Sequence, residues 1–252
     1  VRFVTDWWAV VFNQSFPYRY VHMVLASLLT TAFVAAGVGA WYVLRDRHAA
    51  FGRMTLRLAV ITAAILAPLQ IVAGDFHGLN TLEHQPMKVA AMEGHWETGA
   101  GVPLLLFAWP DDEAETNHFE VGIPRLASLI LTHDPDGVVQ GLTEVPAEDR
   151  PPVAPVFFSF RVMVGIGLLF LLLAYVGVWL LWRRRLYVQR SYLRALIAAS
   201  PLGFFAVIAG WLTTEIGRQP WVVAGLMRTA DSGSPAVQAP EVATSLALFI
   251  GV

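Results

Sequence analysis

Lys88 is the only lysine in the chain, and it stands five residues before Glu93 in KVAAMEGHWE. If that stretch is helical, the two side chains diverge by about 140° and can hydrogen-bond opposite ends of one ring-shaped molecule. A quinol has that shape, with two para hydroxyls whose protons a carboxylate can accept during oxidation. The plainer alternative is a solvated amphipathic helix. A second pair is His22, in PYRYVHMV, and Met163, in FSFRVMVG. Imidazole and thioether together are a low-spin haem ligand set, and the thioether favours reduced iron. Arg161, two residues before Met163, can pair with a propionate. The alternatives are a histidine bonded to a neighbouring helix, a methionine that only packs, and an arginine that snorkels to the interface. A third group is Glu215, Arg218 and Gln219 in WLTTEIGRQPW, which share a helix face. They form either an interfacial salt bridge anchored by Trp221 or a carboxylate serving a haem iron or a proton path.

These residues sit in a chain built for lipid. Of 252 residues, 56% are apolar and only 14% charged, where a soluble domain carries about 25% charged residues. The net charge of −2 offers nothing to nucleic acid, and the absence of cysteine excludes disulfides, Fe–S clusters, thiolate haem ligation and a cysteine nucleophile. The nine tryptophans and fifteen phenylalanines suit aromatic belts. Four stretches reach the roughly 20 apolar residues that a spanning helix needs: Tyr18 to Leu44, Leu56 to Ala73 with Pro68 as a kink, Val156 to Trp182, and Leu193 to Ile216. A fifth starts near Val242 and reaches Val252, too short to cross, so the chain reads as a piece of a longer polypeptide. His22 is the one histidine of seven inside an expected span. It and Met163 lie about 8 and 12 Å from the same end of their helices by the helical rise, so they sit at similar depths.

The expected fold is therefore all-α, a polytopic transmembrane bundle in three segments. Residues 1–74 carry the first two spans, 75–152 a long outer connection, and 153–252 the third and fourth spans and the start of a fifth. Arg45, Arg47, Arg53 and Arg57 lie in one link, and Arg183, Arg184, Arg185, Arg190 and Arg194 in another. The positive-inside rule makes both cytoplasmic. The segment from Asp75 to Pro152 carries 14 acidic residues and only Lys88, Arg125 and Arg150, so it belongs outside. Within it PMKVAAMEGHWE suits a short helix, and PDDEAETNHFE reads as a solvated acidic stretch.

Together VHMVLAS, GDFHGLNTLEHQPMKVAAMEGHWE, FSFRVMVG and GWLTTEIGRQPW carry a specific likeness. The chain resembles subunit I of cytochrome bd-type quinol oxidases, essentially throughout, but only the middle-to-C-terminal part of that subunit. The resemblance implies that His22 and Met163 are axial ligands of a low-spin haem b, with Arg161 associated with the same haem. It implies that Lys88 and Glu93 are the quinol pair of the Q-loop, and that Glu215 serves the high-spin haems as a haem b ligand. Trp211, Arg218 and Trp221 fall in the surrounding haem pocket, and Asp75 is the aspartate at the entry to the loop. The short segment after the Lys88–Glu93 pattern resembles the short-Q-loop, cyanide-insensitive branch, in which the third haem is haem d or another haem b. The family's N-terminal helices, which supply a histidine ligand for the oxygen-reactive haem and acidic residues of a proton channel, have no counterpart here.

The resemblance further implies a multi-pass protein of the bacterial inner membrane that takes electrons from quinol at the periplasmic face. They pass through the low-spin haem to high-spin haems that reduce O2 to water, building a membrane potential. Subunit II and a small accessory subunit are the implied partners. The rival from another class is a non-haem transporter or channel in which Arg161, Glu215 and Arg218 line an ion path and the outer histidines bind metal.

Overall fold

The computed structural model describes residues 5–233, 237 and 239–251. After a one-turn helix α1 (Trp7–Val11), capped by the Asp6 carboxylate, the chain enters α2 (Phe16–Leu44), whose first turn contains Pro17. Helix α3 (Ala49–His84) runs through Pro68 and does not stop near Ala73. At 36 residues it is about 54 Å long, well beyond the roughly 30 Å hydrocarbon core, so part of it stands clear of lipid. The first ten residues of the expected outer connection are thus helical, and His77 and His84 ride on the same helix. Gln85 breaks the run with extended φ because Pro86 follows it. Pro86 then opens α4 (Pro86–Glu93) with no intervening loop.

The connection then forms strands that sequence patterning did not anticipate: β1 (Gly99–Ala100), β2 (Leu104–Asp111) and β3 (Thr116–Ile123), followed by α5 (Leu126–Thr132) and β4 (Val138–Val139). β2 and β3 form an antiparallel hairpin, and β1 pairs with β4. The acidic PDDEAETNHFE stretch supplies the last two residues of β2, the hairpin turn and the first five residues of β3. Asp111 closes that turn by accepting from the N–H groups of Glu113 and Ala114 at 3.1 and 3.0 Å. Those bonds and His118 hold its carboxyl below the usual range, the Ala114 N–H foremost.

Helix α6 (Val153–Trp182) starts at Val153, with Pro155 in its first turn, where its missing N–H costs nothing. The fourth expected span is interrupted at Ser200–Pro201 into α7 (Arg190–Ala199) and α8 (Leu202–Ile216). A small hairpin of β5 (Trp221–Val223) and β6 (Met227–Arg228) follows, and then α9 (Ala239–Gly251). Residues α9 supplies match the expected fifth stretch, whose last residue, Val252, lies outside the described residues. The architecture is mostly helical, with four stretches long and apolar enough to cross a membrane, the fourth formed by α7 and α8 together.

Helix α2 packs on α3, α7 and α8, and α6 packs on α3 and α8. This closes a ring in which α2 and α6 face each other diagonally. Phe33 and Phe170 stack across that diagonal with ring centroids 3.7 Å apart. Around them Leu29, Ala36, Leu56, Val60, Ala174, Leu193 and Leu196 form the main core. Gly39 brings α2 against α3, since a Cβ there would lie 2.8 Å from the Leu56 nitrogen. Leu58, Ile65, Leu172 and Phe204 face outward, a distribution that suits lipid. A second core of Ala90, Ala91, Trp96, Leu142, Val153 and Val156 seats α4 on the start of α6, with Ile216 of α8 packed beside it. That core positions the candidate site.

Candidate functional site

Lys88 and Glu93 are both buried, each only 6% exposed. They point to different neighbours, as their separation on α4 requires. Glu93 meets α6: its Oε2 lies 2.7 Å from Arg161 Nη2. Arg161 also donates through Nε to the Leu105 carbonyl at 2.6 Å and through Nη1 to the Met92 carbonyl at 3.1 Å. Its guanidinium rests 4.5 Å from the centroid of the Phe157 ring, a cation–π contact. Arg161 therefore ties α4, β2 and α6 together. Three of its five N–H groups are used, leaving two for a further acceptor. The sequence reading paired it with a propionate and did not foresee the Glu93 contact.

Lys88 runs the other way, toward α8. A Cβ on Gly217 would stand 3.0 Å from Lys88 Cγ, so the lysine stem passes over the end of α8 because residue 217 is glycine. Among the described residues its ammonium makes no ion pair or hydrogen bond. Burial pushes its pKa from 10.5 down to about 8, with the positive charges of Arg19 and Arg218 adding to the shift and Glu215 opposing it. The lysine and the α8 carboxylate, which sequence reasoning treated as separate sites, are electrostatic neighbours.

Glu215 and Arg218 pair with one another across one turn. Both are more than a third exposed, so solvent screening leaves the pair little net stability. Arg218 Nε is buried without a partner. Gln219 donates to the Glu215 carbonyl at 3.4 Å and accepts from the Thr229 hydroxyl at 2.7 Å. Trp221 lies on β5, with the Arg228 guanidinium 5.1 Å from its ring centroid. Arg228 in turn holds Asp149 at 2.6 Å, fastening the hairpin after α8 to the long connection. Trp211 is exposed on α8, and Asp75 is exposed on α3.

His22 and Met163 stand on the diagonal helices α2 and α6, each touched by a flanking helix. Gln70 of α3 brings Nε2 to 3.3 Å from His22 Nδ1 and 3.2 Å from His22 Nε2. His77 lies beyond, with ring centroids 5.4 Å apart. A Cβ on Gly74 would come 3.3 Å from His22 Cε1. On the other side a Cβ on Gly210 of α8 would lie 2.7 Å from the Met163 sulfur. The residues fit an iron porphyrin by donor chemistry, imidazole against thioether. They fit also by what surrounds them, since the Gln70 Oε1 beside His22 is buried and unpartnered. Sequence reasoning missed Gln70 and Gly210. The signal for Gln70 was present, an amide inside the apolar run APLQIVAG. Among the described residues no three or more His, Cys, Asp or Glu gather as a metal site.

The family model for cytochrome bd terminal oxidase subunit I matches residues 1–252. The chain belongs to that family. It is 36% identical to the Bacillus subtilis (strain 168) cytochrome bd ubiquinol oxidase subunit 1, covering 98% of this chain and 55% of the relative. It is 29% identical to the Escherichia coli (strain K12) cytochrome bd-II ubiquinol oxidase subunit 1, covering 99% and 61%. A putative cytochrome bd menaquinol oxidase subunit I of Bacillus subtilis is 34% identical, over 90% and 52%. The bd oxidase structure from Geobacillus thermodenitrificans superposes with a TM-score of 0.87 at 33% identity, covering 97% of this chain and 56% of that one. This bd subunit I chain thus spans little more than half the length of these relatives. Its four apolar spans and its family make it a multi-pass membrane protein.

Proposed function

We propose that this chain is the quinol-oxidising, haem-binding portion of a membrane oxidase subunit. The observation that carries the reading is that Lys88 and Glu93 are both buried on one short helix, at the end of the bundle where His22 and Met163 stand. Among the described residues the buried Lys88 makes no ion pair or hydrogen bond, which is costly, and a polar ligand would offset that cost. The names of its relatives, ubiquinol and menaquinol oxidase subunits, support a quinol as the substrate class.

In this reading Lys88 hydrogen-bonds one quinol oxygen and Glu93 accepts a proton from the hydroxyl at the opposite end. Arg161 fixes the Glu93 carboxylate so that its free lone pairs face the substrate. Residues 75–152, continuous with the exposed end of α3, form the Q-loop on the periplasmic side of a bacterial inner membrane, where the quinol protons leave. The arginine-rich links face the cytoplasm, and residues 1–74 and 153–252 supply the spans. His22 and Met163 hold a low-spin haem b, and Glu215, with Trp211, Arg218 and Trp221 around it, serves high-spin haems, one of them haem b and another haem d or b. Those groups supply one-electron transfer and the reduction of O2 to water, which at four electrons consumes two quinols and yields a membrane potential. Subunit II and a small accessory subunit complete the assembly.

The test is made in the intact complex. Lys88→Ala and Glu93→Ala are expected to cut quinol oxidation at least tenfold while O2 reduction from an artificial electron donor persists. Equal loss of both activities contradicts the assignment.

A further inference from the structure

The β2–β3 hairpin lies outside the spans, yet its exposed face is apolar. We infer that this face is a membrane contact, with Phe107, Trp109 and Val121 seated in the lipid interface at the end of the bundle opposite the arginine-rich links. The inference goes beyond the quinol reading and does not depend on it.

In β2, Leu105 and Ala108 turn inward onto Phe157 of α6, whereas Phe107 and Trp109 remain exposed. Phe107 stands opposite Val121 of β3, which is exposed as well, and directly opposed residues share a face. A hairpin with one face on the core and the other in water carries polar groups on the second. Here those positions hold aromatic and aliphatic side chains, the mark of a lipid or protein contact.

Placement decides for lipid. The Phe107 and Trp109 rings lie 6.2 and 5.5 Å, centroid to centroid, from Phe158 of α6. At 100° per residue Phe158, Val162, Leu169 and Leu172 fall within an arc of about 80°, and the last three are exposed on the outside of the bundle. The hairpin aromatics therefore prolong the outward stripe of a spanning helix. Depth agrees with this. Trp179 and Trp182 are exposed where α6 ends beside Arg183. Phe158 lies about 32 Å from Trp179 by the helical rise, close to the thickness of the hydrocarbon core. With Trp179 at one interface, Trp109 is at the other, and these are the two levels where tryptophan collects. Among the described residues the Trp109 indole N–H makes no hydrogen bond, so it is free for a headgroup oxygen or interfacial water.

Phe119 supplies an independent observation. The register steps from Phe107 opposite Val121 to Trp109 opposite His118, which leaves Phe119 and Glu120 as a bulge facing Ala108. Strand alternation from His118 would send Phe119 inward with Ala108. Instead a φ of 55° turns it out, to 82% exposure. Left-handed backbone is costly for a bulky side chain, and glycine usually fills such a bulge. Burial of the ring in the interface offsets that cost. The hairpin turn limits the depth: Asp112 and Glu113 are exposed, and Arg150 holds Glu115 at 2.6 Å. These carboxylates stay in water, so the hairpin rests at headgroup level and does not cross.

The experiment uses the intact oxidase with the full-length subunit, in vesicles of phosphatidylethanolamine and phosphatidylglycerol. A fluorophore is attached in turn to Val121→Cys, Phe119→Cys and Glu113→Cys. Labels at 121 and 119 are expected to lose emission to lipids carrying a nitroxide at the headgroup and to resist aqueous iodide, while the label at 113 shows the reverse. Labels at 121 and 119 that iodide quenches as fully as the label at 113 overturn the inference. So do labels shielded from both quenchers, which would mean that a protein partner covers the face. A second measurement needs no substitution: a photoactivatable phosphatidylcholine added to the unmodified complex is expected to leave adducts on the peptide that contains residues 104–123. Adducts confined to the spans contradict the membrane contact.

Discussion

Arg161 Nη2 and Glu93 Oε2 stand 2.7 Å apart although 68 residues separate them in the chain. That ion pair is the joint between the long connection and the membrane bundle. It is buried, with side-chain exposures of 17% for the arginine and 8% for the glutamate, so removing one partner strands the other charge.

Arg161→Met is accordingly expected to destabilise the protein by about 3–5 kcal/mol, the cost of leaving a buried charge uncompensated. The double variant Arg161→Met/Glu93→Met is expected to recover part of that loss. Thermal unfolding of the purified complex checks the order. A double variant less stable than Arg161→Met shows that the two side chains do not depend on each other.

Lys88 presents the opposite case, a buried lysine that makes no ion pair among the described residues. Its pKa falls from 10.5 to about 8 through burial, a penalty of about 3 kcal/mol at neutral pH. Lys88→Met is therefore expected to unfold at higher temperature than the parent at pH 7 while losing quinol oxidation. The sign of the pH effect follows from the shift. Between pH 8 and 10.5 the unfolded chain holds the proton and the folded one does not, so stability rises with pH across that window. The advantage of Lys88→Met is constant below pH 8 and shrinks above it. An advantage that grows with pH contradicts the buried-lysine account.

Gly210 faces Met163 so closely that a Cβ would lie 2.7 Å from the sulfur. A thioether can swing aside, so Gly210→Ala is expected to fold normally. In the holoenzyme it is expected to weaken or shift the reduced low-spin band by displacing the ligand. A band unchanged in position and intensity places Met163 away from the metal.

Asn117 joins the hairpin to the end of α4. It accepts from Trp96 Nε1 at 3.0 Å and donates to the Gly94 carbonyl at 2.9 Å and to Glu120 at 2.8 Å. Asn117→Ala leaves the Trp96 N–H and the Gly94 carbonyl unpaired, at about 1–3 kcal/mol each where water cannot reach. It is expected to raise the KM for quinol several-fold with little change in kcat. A kcat effect with an unmoved KM argues that the hairpin does not support the substrate site.

The spans were legible because apolar runs of more than 20 residues have few other uses, and the arginines of the two links mark one end of the bundle. The extension of α3 to His84 was not, because GDFHGLNTLEH is polar and reads as loop. It is helical because it prolongs a long helix and abuts α4, a tertiary effect. The β2–β3 hairpin escaped notice because shifts at Phe107 break the two-residue alternation of the strand that would have announced it. His22, Met163, Lys88, Glu93 and Glu215 were readable as chemical types in a setting that disfavours polar groups. That Glu93 meets Arg161 while Lys88 lies beside Glu215 and Arg218 depends on how α4 seats between α6 and α8, and no local pattern encodes it.

The account stands or falls on a single iron held between α2 and α6. The most direct measurement is the electron paramagnetic resonance and reduced optical spectrum of the full-length complex carrying Met163→His. The account predicts a retained low-spin haem converted to bis-histidine ligation, with a lowered midpoint potential, because imidazole favours oxidised iron more than thioether does. An unaltered low-spin signal with an unmoved potential would show that the iron lies elsewhere.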